Sequence, residues 1–492
     1  MQDFLLILLI VFAGFILITL VRAAFYKPKK RDTTPLPPEK LDVDRYVRNL
    51  SDAIKIKTIS SRDSDRVNWA EFEAFHALLE ERYPLIHKTL EKELVSKASL
   101  MYRWKGKNPQ LKPIALLAHQ DVVPISAGTA KDWKYPPFDG TVAEGYIWGR
   151  GSLDMKNHLI AVMESIETLL EEGFEPERDV YLCFGHDEEI MLSDDSGALN
   201  MARLFKERGI ELESVIDEGG AIIPAKIKGL LDINIAGVGI AEKGYADFEI
   251  AVTAKGGHSS QPPNHTALGE MAVIIQTIEN HQFKAKLTPY LKELFRGVGR
   301  HMSYPGRIVT CNLSLLWPVV KAIMKRIPAA ASMIRNTTAV TMASGSPAPN
   351  VLPQTAKINV NFRIMPGSSI KDVEKHLRKI IKNKNVTIRL VEGKEPSAIS
   401  PTDSETFKVI EDICYRMNEK NLVAPYLVMG GTDACRYEDV AKNIYRYSPF
   451  VFGTELLLTT HGTNERLPID SVEDAVAFFK RYVRSLAGKE SK

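Results

Sequence analysis

The chain has 492 residues, too many for one ordinary hydrophobic core, so two domains are expected. Its 45% hydrophobic and 25% charged content is that of a globular protein, and a net charge of +3 without a basic stripe gives no case for nucleic acid. The four cysteines, Cys183, Cys311, Cys414 and Cys435, are scattered with no CxxC pair, which suggests neither a zinc knuckle nor a disulfide framework.

Residues 1–3 read as a short tail. The run FLLILLIVFAGFILITLV, Phe4 to Val21, carries no charge and is near the minimum length for a membrane-spanning helix. A secretory signal peptide would want a basic region ahead of it and a small-residue cleavage site, yet only Asp3 precedes it. An uncleaved single-pass anchor over 4–21 is expected, with the membrane as a partner. Arg22, Lys27, Lys29, Lys30 and Arg31 follow; taken alone, the positive-inside rule puts that side in the cytoplasm. Residues 22–40 form a polar, Pro-rich linker, and the soluble part starts near Leu41.

PIALLAHQDVVP reads as a buried strand ending in a loop. HLIAVMESIETLLEEG has helical spacing at Leu159, Ile160, Met163, Ile166, Leu169 and Leu170, closed by Gly173. VYLCF and SVID are further buried strands. The alternation predicts an α/β fold: a mixed, mostly parallel sheet flanked by helices, with ligands beyond the carboxyl ends of the strands. The pattern changes after about Gly239. YADFEIAVTA, TAVTMASG and TAKINVNFRI are half-solvated strands, and TALGEMAVIIQTIENH and IKDVEKHLRKIIKN are helices. The predicted organisation is a catalytic domain in two parts, 41–240 and 394–492, interrupted by an α+β lid at 241–393. Within the lid, His281 to Thr337 is apolar with basic punctuation. It reads either as extra helices on the lid's sheet, or as a hydrophobic channel or membrane-resting surface for a lipid-like substrate.

Gly-rich or strand-end contexts hold LLAHQD, GRGSLDMKN, GHDEE, VIDEGG and TTHGTNE. Alone, each has a bland reading: a hydrogen-bonded histidine, a turn, a solvated acidic loop. Zinc takes His nitrogen and carboxylate oxygen, and a two-metal hydrolase needs a bridging carboxylate plus terminal His and acid ligands. The candidates are His119, Asp154, Glu189, Asp217 and His461. No HExxH is present, which sets aside a single-metal protease of that type.

In this order the motifs resemble the cocatalytic di-zinc amidohydrolases that include aminoacylase, carboxypeptidase G, carboxypeptidase S and bacterial dipeptidases, with a zinc-exopeptidase catalytic domain and an inserted dimerisation lid. H-x-D matches His119 to Asp121, G-R-G-x-x-D-x-K matches Gly149 to Lys156, D-E-E matches Asp187 to Glu189, and G-G-T-D matches Gly430 to Asp433. The resemblance implies two zinc ions, though cobalt or manganese also suit these ligands. His119 would bind one ion, Asp154 bridge both, Glu189 and Asp217 be terminal ligands, and His461 bind the second. Asp121 would hold His119 in one tautomer. Glu188, a non-ligand, would take a proton from the activated water and carry it to the leaving amine. His186 and Asp187 read as ligand-loop or turn residues. His258 in AKGGHSSQP would donate a hydrogen bond to the oxyanion from the partner of a homodimer. Arg363 would clamp the substrate carboxylate, with backbone groups of Gly430, Gly431 and Thr432. The chain looks most like the branch that makes and cleaves N-fatty-acyl amino acids, with carboxypeptidase S close behind. The expected activity is hydrolysis, or the reverse synthesis, of the amide of N-acyl amino acids. The alternatives are a carboxypeptidase or dipeptidase, and a non-catalytic binding protein on the same scaffold.

Overall fold

Runs of branched and aromatic residues alternate with amphipathic segments through the first half of the chain, and the strands they form pair beneath helices on both faces. The computed structural model describes residues 2–32, 34–190 and 195–489. Its principal helices are α1 (Gln2–Phe25), α2 (Val43–Lys55), α3 (Lys156–Glu171), α4 (Ala267–Asn280), α5 (Pro289–His301), α6 (Tyr304–Cys311), α7 (Leu313–Met324), α8 (Pro328–Ser332), α9 (Ile370–Ile380), α10 (Glu405–Met417) and α11 (Val472–Ala487). Its principal strands are β1 (Glu91–Val95), β2 (Ser99–Trp104), β3 (Ile114–His119), β4 (Val180–Gly185), β5 (Ser214–Asp217), β6 (Ile222–Ile227), β7 (Leu231–Glu242), β8 (Gly244–Thr253), β9 (Thr337–Ser344), β10 (Thr355–Ile364), β11 (Val386–Lys394), β12 (Asn421–Val428) and β13 (Ile444–Arg446).

Among the described residues the central sheet has nine strands, in the order β1-β2-β4-β3-β5-β13-β7-β12, with β6 on β7. Its middle, β4-β3-β5-β13, is parallel, as is the β7–β12 edge pair; β1, β2 and β6 join antiparallel. β3 and β4 are buried at every position, which is why they read as continuous apolar runs rather than alternating ones. Helix α3 lies against the sheet with α2 and α11 around it and is buried on nearly all sides. Gly173, at φ +72°, turns the chain out of that helix. A second core, with Met101, Leu117, Tyr181, Phe205 and Val215, covers the opposite face.

The lid is a four-stranded antiparallel sheet, β9-β10-β8-β11, with Ile274, Ile278, Val373 and Leu377 of α4 and α9 packed on one face. The expected lid of 241–393 is not one packing unit. Tyr290, Leu291, Met324 and Ile334 join the catalytic core beside Ile233, Ala236 and Leu422 of β7 and β12. The apolar faces of α5 and α7 thus serve the catalytic layer, and the extra helices do not rest on the lid's sheet.

The expected membrane span also needs correction. Among the described residues no single helix is long and apolar enough to cross a membrane; the apolar helical stretch is the short Ala13–Phe25. The side chains of residues 2, 5, 8, 11 and 12, and Met1 of the expected tail, lie outside the described residues. Anchoring through 4–21 is therefore not supported. Residues 22–25 of the expected linker belong to α1, and its far end is tied down: Arg481 donates to the Pro37 carbonyl at 2.7 Å, and Arg484 pairs with Glu39 at 2.8 Å.

Candidate metal centre and active site

The open parallel sheet delivers its polar side chains to one place. His119 is the last residue of β3, Glu188 and Glu189 follow β4, and Glu218 follows β5. Asp154 comes from the loop entering α3, and His461 from the loop after β13, held at φ +60°.

Asp154 divides its two oxygens between the histidines. Oδ1 lies 3.2 Å from His119 Nε2, and Oδ2 lies 2.9 Å from His461 Nε2. Each histidine has one further carboxylate: Glu218 Oε1 is 3.3 Å from His119 Nε2, and Glu189 Oε1 is 3.1 Å from His461 Nε2. His119 Nδ1 donates to the Asp121 main-chain oxygen at 2.9 Å, and Nε2 faces two carboxylate oxygens. A proton on Nε2 or a cation between the groups satisfies that arrangement, and His nitrogen with carboxylate oxygen is a donor set suited to zinc. Two triads, His119/Glu188/Glu218 and His119/Asp154/Glu189, each bring their ligand atoms within 4.8 Å of one another.

The electrostatics fit the same picture. Burial pulls His119 down, but Glu218, Asp121 and Asp154 outweigh it and hold its imidazole well above the ordinary range. Hydrogen bonds from Asp154 and Glu189 push His461 up to about 10. Burial, with Glu218, Asp433 and Glu189 nearby, raises Glu188 well above the usual carboxylate range, and burial is also the first cause that raises Glu218, to about 8. So many carboxylates crowded together are costly without a counter-charge.

Asp121 is fully buried, with Oδ1 3.3 Å from His119 Nδ1, and it also serves the loop. Its oxygens accept from the Glu188 and Glu189 amides, both at 3.2 Å, and from the Ser60 hydroxyl. Asp217 departs from expectation. Its carboxylate accepts from the Glu218 amide and the Ala434 amide, each at 2.8 Å, while Glu218 reaches His119. Successive residues leaving a strand face opposite sides, so only one of the pair can point at the centre. His186 and Asp187 are structural: the imidazole bonds the Ser99 hydroxyl at 2.7 Å and the carboxylate accepts from the Gly197 amide at 2.9 Å.

Two residues that the motif reading passed over position the Asp154 loop. Buried Glu465 accepts through Oε1 from the amides of Gly151 and Leu153, both at 2.9 Å, and pairs through Oε2 with Arg150. Buried Lys156 donates to the carbonyls of Ala53 at 2.8 Å and Ile56 at 2.6 Å, fastening the loop to the end of α2. The acidic residue in TTHGTNE and the last residue of GRGSLDMK were in view, but only folding gives them partners.

The cluster separates two chambers. One, of about 430 Å³, is lined by Glu188, Glu189 and His461 at one side and by Lys243, Arg363 and Lys394 with Gly430, Gly431 and Thr432 at the other. Arg363 lies over the Tyr245 ring at 5.0 Å. The Thr432 hydroxyl is spent on buried Glu242, which also pairs with Arg446 at 2.8 Å and Lys394 at 3.1 Å. The second chamber, of about 440 Å³, has Asp154 and Glu218 at its polar end and Ala221, Ile223, Ile235, Leu294, Met333, Tyr426 and Phe452 along its walls. Lys243, Lys394 and these wall residues carried no sequence signal; they are ordinary strand and helix positions until the layers meet. His258 is not brought to the centre within one chain. It is exposed on the lid, bonded to the Ser260 hydroxyl at 2.8 Å.

Residues 115–485 match the model of Peptidase family M20/M25/M40. The chain is 34% identical to probable carboxypeptidase S-like 2 of Dictyostelium discoideum over 482 residues, covering 96% of this chain and 92% of the relative. It is 31% identical to N-fatty-acyl-amino acid synthase/hydrolase PM20D1 of Xenopus tropicalis over 445 residues, covering 90% and 86%. Among solved structures it is similar to an M20 family metallo-carboxypeptidase, Sso-CP2, from Sulfolobus solfataricus, with a TM-score of 0.63, 19% identity and coverage of 90% and 99%. With the family model matching residues 115–485 and a relative 34% identical along nearly the whole chain, the chain belongs to the M20 peptidase family and is a metal-dependent hydrolase of peptide or amide bonds.

Proposed function

We propose that the protein cleaves, or in reverse forms, the amide bond of N-acyl amino acids that carry an apolar acyl group and a free carboxylate. The observation that carries this reading is a pair of chambers on the acidic cluster: one, with Lys243, Arg363 and Lys394, opens beside Glu188 and Glu189, and the other, apolar, beside Asp154 and Glu218. A substrate laid across the centre puts its carboxylate among Lys243, Arg363 and Lys394 and its acyl chain between Ile223, Ile235 and Phe452. Arg363 offers the planar donor fork that a carboxylate matches, and the Gly430–Gly431 turn lets the backbone approach closely. PM20D1, by its name an N-fatty-acyl-amino acid synthase/hydrolase, supports the acyl substrate. The carboxypeptidase S-like relative supports a second reading, removal of a C-terminal residue from short peptides, and both readings use the same cationic chamber.

His119, Asp154 and Glu218 would hold one ion and His461, Asp154 and Glu189 the other; zinc is the proposed metal. When bound, the pair supplies a Lewis acid and water acidified toward neutrality. The chain's own residues do the rest. Asp121 keeps His119 in the tautomer that frees Nε2. Glu188, close to His119 and Glu218 and not needed in either ligand set, receives the proton of the attacking water and returns it to the departing nitrogen. His258 reaches an oxyanion only if a second copy brings it, so the reading includes a homodimer.

Purified protein offered N-oleoyl-phenylalanine and Gly-Leu separates the readings. Faster turnover of the acyl substrate is expected; faster turnover of the dipeptide would give the assignment to the peptidase reading.

A further inference from the structure

Helices α6 and α7 form a bent pair, meeting at 102°. The inner face of α7 is anchored by buried Leu313 and Met324, with Trp317 and Val320 packed against the catalytic core. Its outer face carries Leu315, Val319 and Ile323 at four-residue spacing, 50%, 59% and 53% exposed, followed by Ile327 at 51%. Spacing of this kind makes one continuous apolar stripe. On α6, Tyr304 and Val309 add to it, each 41% exposed.

Two further observations say what covers this stripe. The first is charge. No Asp or Glu occurs between Glu293 and Asp372, while seven Lys or Arg fall from Arg296 to Arg335. In a chain whose acidic and basic residues are otherwise nearly balanced, a purely cationic apolar segment complements an anionic lipid surface rather than a mixed protein surface. Lys325 and Arg326 follow the stripe at the end of α7 with Lys321 on the helix flank, where long side chains can bury their stems and keep their heads among phosphates. The second is continuity with the apolar helix α1. The Tyr304 hydroxyl donates to the Leu20 carbonyl at 3.0 Å, and Arg22 donates to the Cys311 carbonyl at 3.3 Å. α1 itself exposes Phe15, Ile16, Leu17, Ile18 and Val21, so the apolar surface runs from one helix to the next.

We infer that α6 and α7 seat the protein on an anionic lipid surface, with the outer face of α7 entering the acyl boundary and Lys321, Lys325 and Arg326 at the headgroups. The contact is interfacial and requires no helix to cross the bilayer. It goes beyond the proposed reaction and does not depend on it: a protein that cleaves only dipeptides could still dock this way. The same insertion supplies Leu294 and Met333 to the apolar chamber, so its seat and that chamber share a wall.

The test is a nitroxide placed at Ile323→Cys in the full chain, mixed with phosphatidylcholine vesicles with and without phosphatidylserine. A second label at Lys371→Cys on α9 serves as the aqueous control. On phosphatidylserine vesicles the label at 323 should lose accessibility to a water-soluble nickel complex and gain collisions with oxygen, while the label at 371 should not. In the Lys321→Gln/Lys325→Gln/Arg326→Gln variant the immersed-to-free ratio at 323 should fall about 100-fold, at about 1 kcal/mol per cation. Hydrolysis of a water-soluble substrate should be unchanged in that variant, which excludes misfolding. A label at 323 that stays water-accessible on vesicles overturns the inference. So does dipolar coupling between labels at 323 without lipid, which would make a second copy the occupant.

Discussion

Glu218 Oε1 stands 3.3 Å from His119 Nε2, while the carboxylate of its neighbour Asp217 accepts from the Ala434 amide at 2.8 Å. The two acids are adjacent in sequence and do different work. Glu218→Gln should lose about one equivalent of metal per chain by mass spectrometry, since it removes one carboxylate from the His119 set. Asp217→Asn should keep both ions and instead lose about 1–3 kcal/mol of stability, because the amides of Glu218 and Ala434 lose a charged acceptor in a buried setting. Equal metal loss in both variants would restore Asp217 as a ligand.

Glu188 stands in the triad with His119 and Glu218 and is proposed as the acid–base group rather than a ligand. Glu188→Gln should lower kcat by about 10²- to 10⁴-fold, the usual worth of a positioned acid–base group, with metal content unchanged. Unchanged turnover would remove it from the proton transfer.

Lys243 is a cation in a place that disfavours one. Burial, then the neighbouring charges of Arg363 and Arg335, lower its ammonium to about 8. Its charge is present below that pH and lost as pH rises through it, so the cationic chamber weakens toward a substrate carboxylate. KM for a carboxylate-bearing substrate should therefore climb above about pH 8, beyond any change in kcat. Lys243→Met should show a raised KM at pH 7 and a flat profile. A wild-type KM independent of pH from 7 to 9 would sever Lys243 from carboxylate binding.

The apolar chamber makes a prediction about chain length. Ile235→Trp places an indole where the proposed acyl chain lies. The kcat/KM for a long acyl substrate should fall about 10- to 200-fold, the range set by small changes in a hydrophobic pocket. An N-acetyl substrate should be nearly unaffected. An equal loss for both would mean that the acyl group binds elsewhere.

Much of the site was legible because its residues sit at strand ends, where a buried apolar run breaks into polar residues. His119 and Glu189 were found this way, Asp154 and His461 through their Gly-rich contexts and the motif resemblance, and the structure brings the four together. Glu218 was missed because VIDEGG offers two acids at a strand terminus, and which one faces inward depends on where the strand stops pairing. Glu465, Lys156, Lys243 and Lys394 were missed as partners for a different reason: each acts through a residue far away in the chain.

The sequence by itself determined the α/β alternation, the change of pattern after about residue 239 and most of the metal-capable side chains, because periodicity and residue chemistry are local properties. Only the tertiary structure decided that Asp154 splits its oxygens between two histidines, that α5 and α7 pack on the catalytic layer instead of the lid, and that a cationic chamber lies beside Glu188 and Glu189 while an apolar one lies beside Asp154 and Glu218. Those outcomes depend on contacts between segments separated by tens to hundreds of residues, which the packing of the sheet and its helices creates and no local pattern encodes.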